Sequence, residues 1–60
     1  MIVAPETLQR ARDVAPGFDP AVLHDEWLAR LAVSDLAPDD FDEPDDAFLA
    51  FAEDWARRQR

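Results

Sequence analysis

Residues 19–32, DPAVLHDEWLARLA, decide the fold. Asp19 is a good helix N-cap, because its carboxylate can accept from the free N–H groups of the first turn. Pro20 suits the first helical position, where its missing N–H leaves no partner wanting. Leu23, Trp27, Leu28 and Leu31 then recur at helical spacing, with Asp25, Glu26 and Arg30 on the other side. Glu26 and Arg30 stand four apart with the acid first, the favourable order for a pair on a helix surface. The stretch predicts a helix over 20–32 with one apolar stripe, and a single stripe needs other elements to cover it.

Working towards the N-terminus, Pro16-Gly17 separates this helix from another. Proline restricts the residue before it, and the only glycine of the chain supplies a stop. Pro5 to Val14 reads as a helix with Glu6 in its first turn and Leu8, Ala11 and Ala15 on one face. On the C-terminal side, Ser34–Glu43 is turn-rich and holds only Leu36 and Phe41 as large apolar anchors. Its composition favours an acidic loop pinned by Phe41 over a single helical turn. A third helix is expected over Pro44–Arg58, with Asp45 and Asp46 in its first turn and Arg57 and Arg58 in its last, both ends matching the helix dipole. Phe48, Phe51, Ala52 and Trp55 form its apolar face.

No segment alternates as a half-buried strand does. The expectation is an all-α, single small three-helix domain with an acidic loop before the last helix. Phe18, Leu23, Trp27, Leu31, Phe41, Phe48, Phe51 and Trp55 should pack between the helices, with Leu8 and Ala11 closing one side.

Sixty residues with net charge -8 bound what such a domain can do. A chain this short buries only about 60% of the surface its unfolded form exposes, so its stability is marginal. The absence of cysteine excludes disulfides and thiolate metal sites. No apolar run reaches the roughly 20 residues of a membrane span, and Met1–Pro5 lacks the charged and apolar regions of a signal peptide. A cytoplasmic protein is expected. The acids are concentrated: residues 35–54 hold nine and no base, whereas Arg57, Arg58 and Arg60 close the chain. Such a surface repels phosphate backbones and anionic lipid, so duplex DNA and membranes are poor partners.

Catalytic chemistry finds little to use. His24 is the only histidine, and one serine, one threonine and neither cysteine nor tyrosine accompany it, which leaves no nucleophile with an oriented base. His24 is expected at the edge of the core. The carboxylates of Asp39, Asp40, Asp42, Glu43, Asp45 and Asp46 lack the cleft that acid-base work on a sugar requires. They also miss the spacing of a calcium loop: counted from Asp40, Pro44 falls at position 5 and Asp45 at the position that needs glycine. At most they bind divalent ions weakly and without specificity. No phosphate-binding glycine loop is present, and no cofactor is expected. The arginines at the end of the chain are read as complements to the last helical turn.

Two stretches resemble a known segment. Ala15-Pro16-Gly17-Phe18-Asp19, followed by Leu23 and Glu26-Trp27, is similar to the opening of the C-terminal helical segment of plasmid replication initiator proteins. There an Ala-Pro-Gly-aromatic-Asp turn precedes a helix carrying Leu-x-x-Glu-Trp. Glu43-Pro44-Asp45-Asp46-Ala47-Phe48-Leu49-Ala50-Phe51 resembles the second half of that segment. The two halves cover roughly 40 of the 60 residues. The chain departs from the pattern where Glu53 and Asp54 precede the arginines, since those segments turn basic there, and the sixty residues do not include the large DNA-binding domains that such segments follow.

The resemblance implies a bacterial, non-enzymatic interaction domain linked to plasmid DNA replication, docking on an initiator or helicase. Crowding so many carboxylates costs stability by mutual repulsion, and that cost suggests a use. Asp39, Asp40, Asp42 and Glu43 are therefore the candidate partner-binding residues, facing a basic surface on another protein. Asp45 and Asp46 are divided between that role and the helix dipole. The alternative class is a small acidic inhibitor, an antitoxin or DNA mimic, that occupies a basic surface of its target. Keeping the protein soluble is the plain reading of the same acids.

Overall fold

The structure, a computed structural model, describes residues 3–59. Arg60 of the basic tail and the first two residues of the N-terminus lie outside them. Three α-helices form: α1 (Pro5–Val14), α2 (Pro20–Val33) and α3 (Pro44–Arg58), and a single 3-10 turn at Pro38–Asp40 lies between the last two. Among the described residues there is no strand, and no helix is long and apolar enough to cross a membrane. The fold measures 28 × 23 × 16 Å along its principal axes.

Every helix opens on proline, but the three starts are completed differently. Asp19 caps α2 as the sequence expects, accepting from the Ala21 N–H at 2.9 Å. Ala4, the N-cap of α1, has no side chain able to do this. Its own N–H instead donates to Asp45 Oδ2 at 3.1 Å, and the hydroxyl of Thr7 donates to the same oxygen. A first-turn acid of α3 thus satisfies the start of α1, 41 residues away in sequence. Thr7 is consequently buried.

Helix ends rest on backbone geometry. After α1 the chain turns through Gly17 at φ 91°, a left-handed conformation that glycine adopts without steric cost. After α2 the corresponding position is Asp35, at φ 60°. The Leu36 N–H reaches back to the Leu31 carbonyl at 2.8 Å and the Asp35 N–H to that of Ala32 at 3.1 Å, the paired bonds of a Schellman ending.

The core gathers Val3, Ala11, Ala15, Leu23, Trp27, Leu31, Phe48, Ala52 and Ala56. Five of the expected core residues, Ala11, Leu23, Trp27, Leu31 and Phe48, are buried. Phe18, Phe41, Phe51, Trp55 and Leu8 are only partly so. The expected set named Ala11 and the Ala52 face of α3 but otherwise followed side-chain size; α1 packs mainly on α3, and the two helices bury Ala11, Ala52 and Ala56. Ala11 on α1, Ala15 at its C-cap, and Ala52 and Ala56 on α3 are small enough to let the helix axes approach closely. That turns the buried face of α3 towards its alanines and leaves Phe51 and Trp55 at the margin. Phe48 fills the centre, 5.5 Å ring to ring from Trp27.

Candidate functional site

The four candidate residues occupy the connection that carries the chain from α2 to α3. Asp39 and Asp40 belong to the 3-10 turn, and Asp42 and Glu43 lead into the first turn of α3. The loop expected here is therefore a structured turn. Pro38 fixes its start, the Asp40 N–H bonds the Ala37 carbonyl at 2.9 Å, and the Phe41 N–H bonds the Pro38 carbonyl at 3.1 Å. Phe41 then lays its ring 6.2 Å from that of Trp27, which fastens the turn to the core.

The acids divide into two kinds. Asp40 is structural in part: its Oδ2 accepts from the Ala37 N–H at 2.7 Å and so closes the turn from within. Asp39, Asp42 and Glu43 are exposed, and among the described residues none of them takes part in an ion pair or a side-chain hydrogen bond. Asp45, assigned by the sequence partly to a partner, is committed elsewhere. Donation first from the Thr7 hydroxyl and then from the Ala4 N–H holds its carboxyl below the ordinary value of 3.8, against a smaller opposing effect of burial. Thr7 was missed by the sequence reading, because a lone threonine in a polar helix gives no periodic signal. Asp46 remains exposed in the first turn of α3.

Among the described residues no three acids or histidines converge in a way that could hold a metal ion. The carboxylates are spread along the surface and present charge outward. His24 lies where the sequence put it, at the core edge, with its ring 5.7 Å from Phe48 in an edge-on arrangement and 6.2 Å from Trp27. Its Nε2 is buried without a hydrogen-bond partner.

The arginines of α3 are paired locally. Arg58 meets Asp54 at 3.0 Å and Arg57 meets the same carboxylate at 4.0 Å, both exposed. The Glu26–Arg30 pair forms at 3.8 Å, and the Arg30 guanidinium also sits over the Trp55 ring, 4.8 Å from its centroid. Trp27 is 3% exposed, as expected, but Trp55 is a correction: it is half-buried, packed against the edge of the core on one side and covered by the Arg30 guanidinium on the other. Comparison with protein-family models, with curated proteins and with solved structures found no match to this chain.

Proposed function

We propose that the chain is a non-enzymatic interaction domain that docks on a basic protein surface through the connection between α2 and α3. The observation that carries this reading is the division among its acids. Asp40 and Asp45 have structural partners, whereas Asp39, Asp42 and Glu43 stand exposed with none on a turn fastened by Phe41. A solvated connection can be made from mixed charges, and a rigid turn with free carboxylates is suited to steer and orient a cationic partner.

The partner class is drawn from the resembling residues, Ala15–Asp19 with Leu23 and Glu26-Trp27, and Glu43–Phe51. They point to a plasmid replication initiator or its helicase. Most of these positions serve the fold: Gly17 turns, Asp19 caps, and Trp27 and Phe48 are core. The surface that would recognise a partner lies ahead of the second resembling half and reaches its first residue, Glu43.

Affinity capture of the initiator and the helicase, with the wild-type chain and an Asp39→Asn, Asp42→Asn, Glu43→Gln variant as baits, tests the reading. Asp40 is left intact because it holds the turn. Capture by the wild type and its loss in the variant are expected. Equal capture by both removes the docking assignment, and capture of neither protein removes the link to replication. Recovery of a toxin or nuclease instead assigns the same carboxylates to an inhibitor that mimics DNA phosphates.

A further inference from the structure

The outward side of α2 is apolar. Its exposed residues are Ala21, Val22, Asp25, Ala29, Arg30, Ala32 and Val33, of which only Asp25 and Arg30 are charged. The other helices differ. Beside Pro5, α1 exposes Glu6, Gln9, Arg10, Arg12 and Asp13, and beside Ala50, α3 exposes Asp46, Glu53, Arg57 and Arg58. A helix that is apolar on both sides is one that packs on both sides, and the inner side of α2 already turns Leu23, Trp27 and Leu31 to the core. Val22, Ala29 and Val33 follow one another at spacings of seven and four, which sets them in one line along the helix. Val22 is 58% exposed and Val33 is 89% exposed. At the end of this line a hollow of about 270 Å3 opens between Ala29, Arg30, Val33 and Ser34.

The free charges bordering the line are acidic. Asp25 stands one turn from both Val22 and Ala29, and Asp35 follows the end of the helix; among the described residues neither takes part in an ion pair. Arg30 is committed to Glu26 and to the face of the Trp55 ring. A fitting occupant therefore carries apolar side chains at helical spacing with basic residues beside them. We propose that the outer face of α2 receives an amphipathic basic helix of the partner protein. Its apolar ridge lies along Val22, Ala29 and Val33, one side chain enters the hollow, and its basic residues meet Asp25 and Asp35. Ala29, in the middle of the line, is small enough to let a facing helix come near. A second copy would bring the same acids and a net charge of -8 to the contact, and an anionic lipid surface is repelled in the same way. The proposal rests on the partner being basic and adds the form in which it presents its charge.

Chemical-shift mapping on the full, isotope-labelled chain at physiological salt tests it, with two synthetic probes. One is a leucine–lysine peptide of amphipathic helical pattern, and the other is its leucine–glutamate counterpart. The lysine peptide should shift the amides of residues 21–35, and the glutamate peptide should leave them unmoved. A Val22→Ser, Val33→Ser variant, altered at side chains the fold does not bury, should bind the lysine peptide about tenfold more weakly. Circular dichroism checks that this variant remains helical. Equal binding by the variant overturns the proposal, as do shifts spread over the acidic surface without preference for α2. Shifts confined to the acidic turn overturn it too and leave docking through Asp39, Asp42 and Glu43 standing. Shifts on α2 that persist in the Asp39→Asn, Asp42→Asn, Glu43→Gln variant support the α2 face independently of the turn. Shifts on α2 that grow with the concentration of the chain alone would assign the face to a second copy and overturn the proposal.

Discussion

Asp45 shows how one side chain acquires its role from a distant part of the chain. Its carboxyl is held below 3.8 by the Thr7 hydroxyl and the Ala4 N–H, so the folded protein binds its proton less readily than the unfolded chain. The stability this contributes is complete above the ordinary carboxylate value and is lost as pH falls through the lower folded value. Asp45→Asn should therefore be less stable than wild type at neutral pH, and the gap should close in acid. Urea denaturation of both proteins across that range measures it, and a gap that is constant with pH would contradict the assignment. Backbone conformation supplies a second residue-scale test. Asp35 occupies a left-handed position that glycine would take without strain. Asp35→Gly should raise stability by about 0.5–1 kcal/mol, whereas Gly17→Ala, which meets nothing within 4 Å and suffers from φ alone, should lower it by about 1–2 kcal/mol. Denaturant midpoints with unchanged slope read both. At His24 the buried Nε2 lacks a partner. His24→Phe keeps a ring against Trp27 and Phe48 and removes the orphan nitrogen, so it should stabilise by about 1 kcal/mol in the same assay.

At the scale of elements, the helices were legible because their starts and periods are written locally. Pro5, Pro20 and Pro44 mark the first turns, and the α1 and α3 bounds agree with those the sequence predicts, while α2 runs one residue further, to Val33. The end of α2 has no glycine to mark it, and Asp35 does that work in its place; the sequence favours an acidic loop over Ser34–Glu43, where the structure has a 3-10 turn at Pro38–Asp40. The face of α3 was harder to read. Apolar periodicity admits both the aromatic edge and the alanine edge, and size favours Phe51 and Trp55. Ala52, placed on the face by the sequence, is fully buried together with Ala56, whereas Phe51 and Trp55 stay at the margin; small residues there leave room for α1, which packs mainly on α3. Ala52→Leu should accordingly force α1 and α3 apart and cost about 1–3 kcal/mol, read as a lowered thermal midpoint. An unchanged midpoint would mean that the alanine contact does not set the packing of α1. The candidate site was legible in composition and illegible in detail. Nine acids in residues 35–54 are visible at once. That Asp45 serves α1 depends on a contact 41 residues away that no local pattern encodes, whereas Asp40 closes its own turn locally, at Ala37.

The whole molecule is an acidic surface around a small core, with the arginines where α2 meets the end of α3 already paired to Glu26 and Asp54. Net charge -8 opposes a phosphate backbone, and Arg57 and Arg58 already share Asp54. No appreciable binding to duplex DNA at physiological salt is expected, because few free cations remain to release counterions. Fluorescence anisotropy of a labelled duplex checks this. A protein partner with a basic surface meets the opposite situation, and the free carboxylates should act first on the encounter. The most direct measurement is the association rate constant with the purified initiator or helicase, followed across ionic strength for the wild type and for the Asp39→Asn, Asp42→Asn, Glu43→Gln variant. The expected result is a wild-type rate that falls steeply with salt, and a variant that starts about tenfold slower with a shallower dependence and the same unfolding midpoint. Association that is equally fast and equally salt-sensitive in the two proteins would contradict docking through the acidic turn.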